Sequence, residues 1–260
     1  MSMNQSVLIC DQVNPVLNEI LEKNGLQITY EPEITPEQIL EKIENFEVII
    51  VRSRTKITKD MIEKANKCQI IARVGVGLDN IDQAAAKEKN IRVINAVEGA
   101  MNAVAELVIG LMLSLAREIP RADREVRNGN WIKKELMGTE LRGKYLGIVG
   151  LGNIGKRLGR LARALNMNII GYDVVPIDEE FSSEVGLMKA DLGTLLASSD
   201  YVSLHVPLLD STKHLINAEK MSTMKNTSRI INTSRGGVID EDALYEFLKD
   251  GKLGGAALDV

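Results

Sequence analysis

The sequence predicts an α/β protein made of two doubly wound parallel-sheet domains, and three observations carry that prediction. Short apolar runs alternate with amphipathic segments through most of the 260 residues, the pattern of strands connected by crossover helices. The strand-sized runs are apolar on both faces, as strands covered by helices on either side should be. Finally, Gly150-Leu151-Gly152-Asn153-Ile154-Gly155 lies between the apolar run 145–149 and the amphipathic stretch 156–166, where a phosphate-binding turn would sit in a strand–turn–helix unit.

In chain order, apolar runs at 6–10, 27–30, 47–51, 69–74 and 91–94 alternate with amphipathic segments at 15–24, 36–45, 59–66 and 81–89. Five strands and four helices make a small flavodoxin-like domain over residues 1–98. Residues 100–128 break this rhythm with one long helical pattern, read as the connector into a second domain over 99–260. Pro120 cannot donate a helical hydrogen bond, so a break is expected near Ile119, and Asn128-Gly129-Asn130 stops the pattern. Alternation resumes at Lys144 with the glycine-turn unit, followed by segments at 192–197, 201–206, 218–225, 228–233, 242–250 and 255–260. This second domain is expected to be a Rossmann domain, incomplete at its C-terminal end, in a gene product longer than 260 residues.

Composition narrows the partners. The net charge is −4 with both signs interspersed, which supplies no long-range attraction for nucleic acid or an anionic membrane. Apolar runs such as 107–116, bracketed by Glu106 and Arg117, fall short of the ~18 residues of a spanning helix. The first residues show no charged leader pattern, so a cytoplasmic protein is expected. Cys10 and Cys68 are far apart in sequence and the histidines are His205 and His214, which gives no metal or disulfide framework.

Each glycine of the turn has its own physical reason. Gly150 suits the tight reversal, Gly152 the close approach of backbone to a pyrophosphate, and Gly155 the packing of helix on strand. Leu158, Leu161, Ala162 and Leu165 recur at helical spacing, so the helix has an apolar face and its N-terminal amides point at the phosphates. An apolar strand then closes on Asp173, with Val174, Val175 and Pro176 following. A carboxylate there accepts from a ribose diol and repels a 2′-phosphate, so NAD is favoured over NADP. His205-Val206-Pro207 and Asn232-Thr233-Ser234-Arg235 each follow an apolar run and are expected at the strand ends lining the same crevice. Arg235 stands out there, because a guanidinium can grip a carboxylate bidentately and polarise an adjacent carbonyl.

Taken together, Val51-Arg52-Ser53-Arg54-Thr55-Lys56, Arg73-Val74-Gly75-Val76-Gly77-Leu78-Asp79-Asn80-Ile81-Asp82, the run 150–155, residues 232–240 and Ala257-Leu258-Asp259-Val260 resemble the D-2-hydroxyacid dehydrogenase family. The resemblance covers nearly the whole chain and is nearest to the branch that oxidises a phosphorylated hydroxyacid. It implies that Arg235 binds the substrate carboxylate and orients the keto oxygen. It also implies that NAD is held by Asn153 and Ile154 at the pyrophosphate and Asp173 at the ribose. Val206, Thr233, Ser234 and Asp259 fall on the nicotinamide side, with Val76, His205, Pro207 and Thr212 completing the cofactor contacts. Arg52, Ser53, Arg73, Val74 and Gly75 would contact substrate. A phosphorylated hydroxyacid carries about −3 charge, and arginines at 52, 73 and 235 could meet it. Alternatively, Arg52 and Arg73 pair at the surface with acids such as Asp60 or Asp79.

Two groups of the family pattern, a His oriented by a Glu, belong beyond residue 260, so the 260-residue chain is expected to be inactive as given. His205 matches the cofactor-contact segment rather than that base. Two other functions stay open: a reductase of glyoxylate or hydroxypyruvate, and a non-catalytic NAD-binding assembly module. Family members pair through the cofactor domain, so a homodimer using residues 105–115 is expected, although core packing explains that stretch equally well.

Overall fold

The computed structural model describes residues 5–260 and divides after Ala100 into two compact units. The first contains β1 (Ser6–Ile9), α1 (Pro15–Lys23), β2 (Gln27–Tyr30), α2 (Pro36–Lys42) with a 3-10 turn at Ile43–Asn45, and β3 (Val48–Val51). It continues through α3 (Lys59–Lys64), β4 (Ile70–Arg73), α4 (Gln83–Glu88) and β5 (Arg92–Asn95). The five strands run parallel in the order β2-β1-β3-β4-β5. The sequence marks its helix starts clearly: Asn14 caps α1 ahead of Pro15, Thr35 and Gln38 form a reciprocal capping box on α2, and Asp82 caps α4. These side chains satisfy amides that the first turn leaves unpaired. Two clusters of buried aliphatic side chains cover the sheet, one including Leu8, Ile49 and Ile71 and the other Val7, Ile9 and Ile50. That is why the strands read as apolar on both faces.

α5 (Val97–Arg117) leads into the second unit and ends where Glu118 adopts a left-handed conformation (φ 50°); α6 (Ile119–Arg127) then restarts with Pro120 in its first turn. Proline is tolerated only in that first turn, so the break falls where the sequence placed it. One expectation needs correcting. Gly99–Arg117 is long and apolar enough to cross a membrane by length and composition, because the apolar stretch continues past Glu106 in both directions. Ala105, Val108, Met112 and Ala116 lie at helical spacing in the core of the second unit, while Leu107 and Leu113 remain 40% and 38% exposed.

The second unit continues with β6 (Tyr145–Val149), α7 (Asn153–Ala164), β7 (Asn168–Tyr172), α8 (Glu179–Val185), β8 (Met188–Lys189) and α9 (Leu192–Ser198). β9 (Tyr201–Leu204), α10 (Ala218–Ser222), β10 (Arg229–Asn232), α11 (Glu241–Lys249) and β11 (Gly255–Leu258) complete it. The parallel order is β11-β10-β9-β6-β7-β8. The sequence reading missed α8 and β8. Their segment is mostly polar, and its helix is fixed by the Asp178 cap and by burial of Phe181 and Val185, a tertiary effect.

Candidate functional site

Chain order reverses at β6 in the second unit: β7 lies on one side and β9 on the other. Open α/β sheets bind ligands outside the strand ends at such a point, and the glycine turn begins there, directly after Val149. Gly150 has φ +94°, and a Cβ on it would lie 2.6 Å from the His205 carbonyl oxygen, so both its conformation and the neighbouring strand end demand glycine. A Cβ on Gly155 would lie 2.1 Å from the Gly150 carbonyl oxygen, which is how α7 packs down onto the turn.

Gly152 differs from both. Its backbone is extended, and a Cβ there would meet nothing within 4 Å. It is also the N-cap of α7, and no side chain caps the helix. Open space beside uncapped amides is what a bound pyrophosphate requires. Asn153 is exposed and Ile154 half-buried in that first turn. Asp173, just after β7, accepts from the Leu151 amide at 2.6 Å and from the Val175 amide at 3.2 Å. The carboxylate is thus tied to the glycine turn, and its remaining lone pairs are available to a diol.

At the end of β9, His205 is half-buried, and its Nε2 shares a hydrogen bond of 2.9 Å with the buried Ser203 hydroxyl. Desolvation pushes its imidazole down to about 4. An efficient general base has a pKa near the working pH, so His205 fits the cofactor side better than proton transfer. Val206 packs on the neighbouring core and Pro207 is exposed. Thr212 uses its hydroxyl inside this loop: it donates to the Pro207 carbonyl at 2.6 Å and accepts from the Leu209 amide at 2.8 Å. Its contribution is therefore to brace loop 207–212.

The loop after β10 is built by a residue that the sequence reading did not single out. Asn232 is 2% exposed. Its Oδ1 accepts from the Ser234 amide at 3.0 Å and hydroxyl at 2.7 Å, and its Nδ2 donates to the Arg235 carbonyl at 2.8 Å. An Asx-type turn of this kind fixes the main chain that carries Arg235. The Arg235 guanidinium donates to the Ser234 carbonyl at 2.6 Å. Thr233 Oγ1 is buried and has no protein partner among the described residues, a cost relieved when a ligand group meets it. Asp259 is exposed just after β11, with its amide bonded to the Asn232 carbonyl at 3.0 Å. Uncapped amides, the tethered Asp173 and the orphaned Thr233 hydroxyl together fit a dinucleotide.

The first unit has its own switch point, between β1 and β3. Arg52 and Ser53 are exposed just past β3, and among the described residues the Arg52 guanidinium has no partner. Arg73 is differently engaged: its Nε donates to the Arg52 carbonyl at 2.9 Å and its Nη1 donates to the Gly77 carbonyl. Val74, Gly75 and Val76 follow as a half-buried turn, held by the Val74 amide on the Val51 carbonyl and by Asn95 Nδ2 on the Val76 carbonyl.

Residues 109–260 match the D-isomer specific 2-hydroxyacid dehydrogenase, NAD binding domain. Over 98% of its length, the chain is 46% identical to D-3-phosphoglycerate dehydrogenase of Methanocaldococcus jannaschii, and it covers 48% of that protein. It is also 46% identical to hydroxypyruvate reductase of Thermotoga maritima, covering 93% of this chain and 77% of the relative. Among solved structures, a glyoxylate reductase from Paecilomyes thermophila superposes with a TM-score of 0.90 at 31% identity, covering 100% of this chain and 82% of that one. The chain thus spans about half the length of the phosphoglycerate dehydrogenases it matches. The protein belongs to the D-isomer-specific 2-hydroxyacid dehydrogenase family, and its second unit is that family's NAD-binding domain.

Proposed function

We propose that the whole protein oxidises D-3-phosphoglycerate to 3-phosphohydroxypyruvate, in serine biosynthesis in the cytoplasm. When bound, NAD would supply the acceptor for the hydride from C2 of the hydroxyacid, and the hydroxyl proton would pass to the His that the family pattern orients by a Glu. Arg235 grips the substrate carboxylate and polarises the C2 oxygen, and its turn is held in advance by Asn232, so little reorganisation accompanies the reaction. Asp173 selects the unphosphorylated ribose.

Among family substrates, the observation that carries this choice is Arg52, a cation without a partner among the described residues at the strand-end crevice of the first unit. A phosphate in water-accessible surroundings is well matched by such a guanidinium. A second reading, reduction of hydroxypyruvate or glyoxylate, is favoured by Arg73, because donors spent on backbone carbonyls leave fewer for a phosphate. Steady-state kinetics with 3-phosphohydroxypyruvate, hydroxypyruvate and glyoxylate separate the two. Replacing Arg52 by alanine should lower kcat/KM for the phosphorylated ketoacid roughly ten- to hundredfold relative to hydroxypyruvate. An unchanged ratio would reject the phosphorylated substrate.

A homodimer through the second unit belongs to the same proposal. Leu107 and Leu113 on α5 are exposed, and a groove lined by Ile119, Val126, Trp131, Ile132 and Leu136 adds apolar surface, with Trp131 80% exposed. Surfaces of this kind are expected to be covered by a partner. Light scattering at micromolar concentration tests it, and a monomeric mass would count against it.

A further inference from the structure

We propose that Asp11 and Asn80 are positioning residues that clamp the main chain of Arg52 and so aim its guanidinium at the anionic substrate; the proposal rests on the assignment of Arg52 to substrate given above. Asp11 follows β1 and Arg52 follows β3, the two adjacent strands where chain order reverses. The Asp11 side chain is 3% exposed. Among the described residues, its donors all come from one short loop: the Arg52 amide at 2.5 Å, the Thr55 amide at 3.3 Å, the Thr55 hydroxyl at 2.8 Å and Arg54 Nε at 3.2 Å. Asn80 holds the same loop through Nδ2, donating to the Thr55 carbonyl at 2.6 Å and the Arg52 carbonyl at 3.1 Å. Arg73 Nε adds a third grip on the Arg52 carbonyl at 2.9 Å.

Both main-chain polar groups of Arg52 are therefore held by side chains from other loops, while its own side chain has no partner among the described residues. Arg54 has the opposite fate. Its guanidinium is spent on Asp11 and on the carbonyls of Cys10, Pro32 and Ile34. Burying a carboxylate is costly, and an apolar replacement would often stabilise a fold as well. A charge at the ligand-binding edge, satisfied entirely by the loop that carries Arg52, serves orientation: a fixed backbone leaves only side-chain rotamers to be ordered when the ligand arrives.

The test is a pair of double-mutant cycles on the full-length protein, measured as KM for 3-phosphohydroxypyruvate with NADH, with NADH binding and Tm alongside. Asp11→Asn and Asn80→Ala should each raise KM about tenfold with NADH affinity unchanged, and each effect should vanish when Arg52→Ala is already present. Equal KM increases with and without Arg52 would overturn the proposal, as would a lower Tm at unchanged KM or an Arg52→Ala variant with wild-type KM. If Asp11→Asn does not fold, the Asn80→Ala cycle decides, because it removes neutral hydrogen bonds only. Wild-type preference for hydroxypyruvate would reject the phosphorylated substrate alone; the same cycles run with hydroxypyruvate would still decide the clamp.

Discussion

Asn232 donates from Nδ2 to the main-chain carbonyl of Arg235 at 2.8 Å, closing a turn of four residues around the guanidinium proposed to hold the substrate carboxylate. Replacement of Asn232 by alanine leaves this turn without its internal partners. It should lower kcat/KM for the ketoacid about tenfold or more through misplacement of Arg235, with a smaller change in NADH affinity. Arg235→Lys should be more severe, because an ammonium lacks the planar fork. Stopped-flow NADH binding beside steady-state rates checks both variants, and parallel loss of binding and turnover would argue against the assignment.

Gly152 and Gly155 should separate cofactor binding from folding. At Gly155 an added Cβ meets backbone at 2.1 Å, so Gly155→Ala should cost about 1–3 kcal/mol of stability, read as a shift in urea midpoint. At Gly152 the added Cβ meets nothing within 4 Å. Gly152→Ala should keep the urea midpoint near wild type and weaken NADH binding, because the methyl group occupies the space reserved for the pyrophosphate.

Asp173 has two tasks, and an isosteric change splits them. Asp173→Asn keeps an acceptor for the Leu151 amide and removes the charge that repels a 2′-phosphate. NADPH affinity should rise relative to NADH by roughly tenfold, with modest loss of stability. A variant that still rejects NADPH as wild type does would assign discrimination to other groups.

Stability should fall towards both acid and alkaline pH for identifiable reasons. His205 is held near 4, below its ordinary 6.5. Between these values the unfolded chain binds a proton that the native one refuses, so stability is present above about 6.5 and declines as pH falls towards 4. Desolvation, the largest cause in each case, pushes the Cys10 thiol up to about 12 and the Cys68 thiol up to about 11 from 9.0. Both therefore favour the native state below pH 9.0, and that contribution is lost as pH rises above it. Urea midpoints across pH check the signs, and His205→Asn should flatten the acid limb. In the native protein both thiols should resist alkylation at pH 8, since the thiolate is the reactive form.

Much of this protein was legible from local pattern. The strand–helix alternation, the break at Pro120, the glycine turn and Asp173 depend on near neighbours in sequence, and spacing alone carries that information. Helix α8 escaped because Phe181 is buried against Gly159 of α7 and Val185 in the core of the second unit, and its short polar segment has little periodicity. The state of each arginine was also hidden. Arg52, Arg54 and Arg73 look alike in sequence, yet Arg54 is consumed by carbonyls, Arg73 braces a loop and Arg52 alone has no partner among the described residues. Strand order decides this: it brings Asp11 beside a loop 41 residues away and Asn80 beside the same loop from 28 residues away. By itself the sequence determined the family, the cofactor and the turn that receives it. Tertiary structure decided which charged side chains remain available, because a donor's commitment depends on acceptors that only the assembled sheet places within reach.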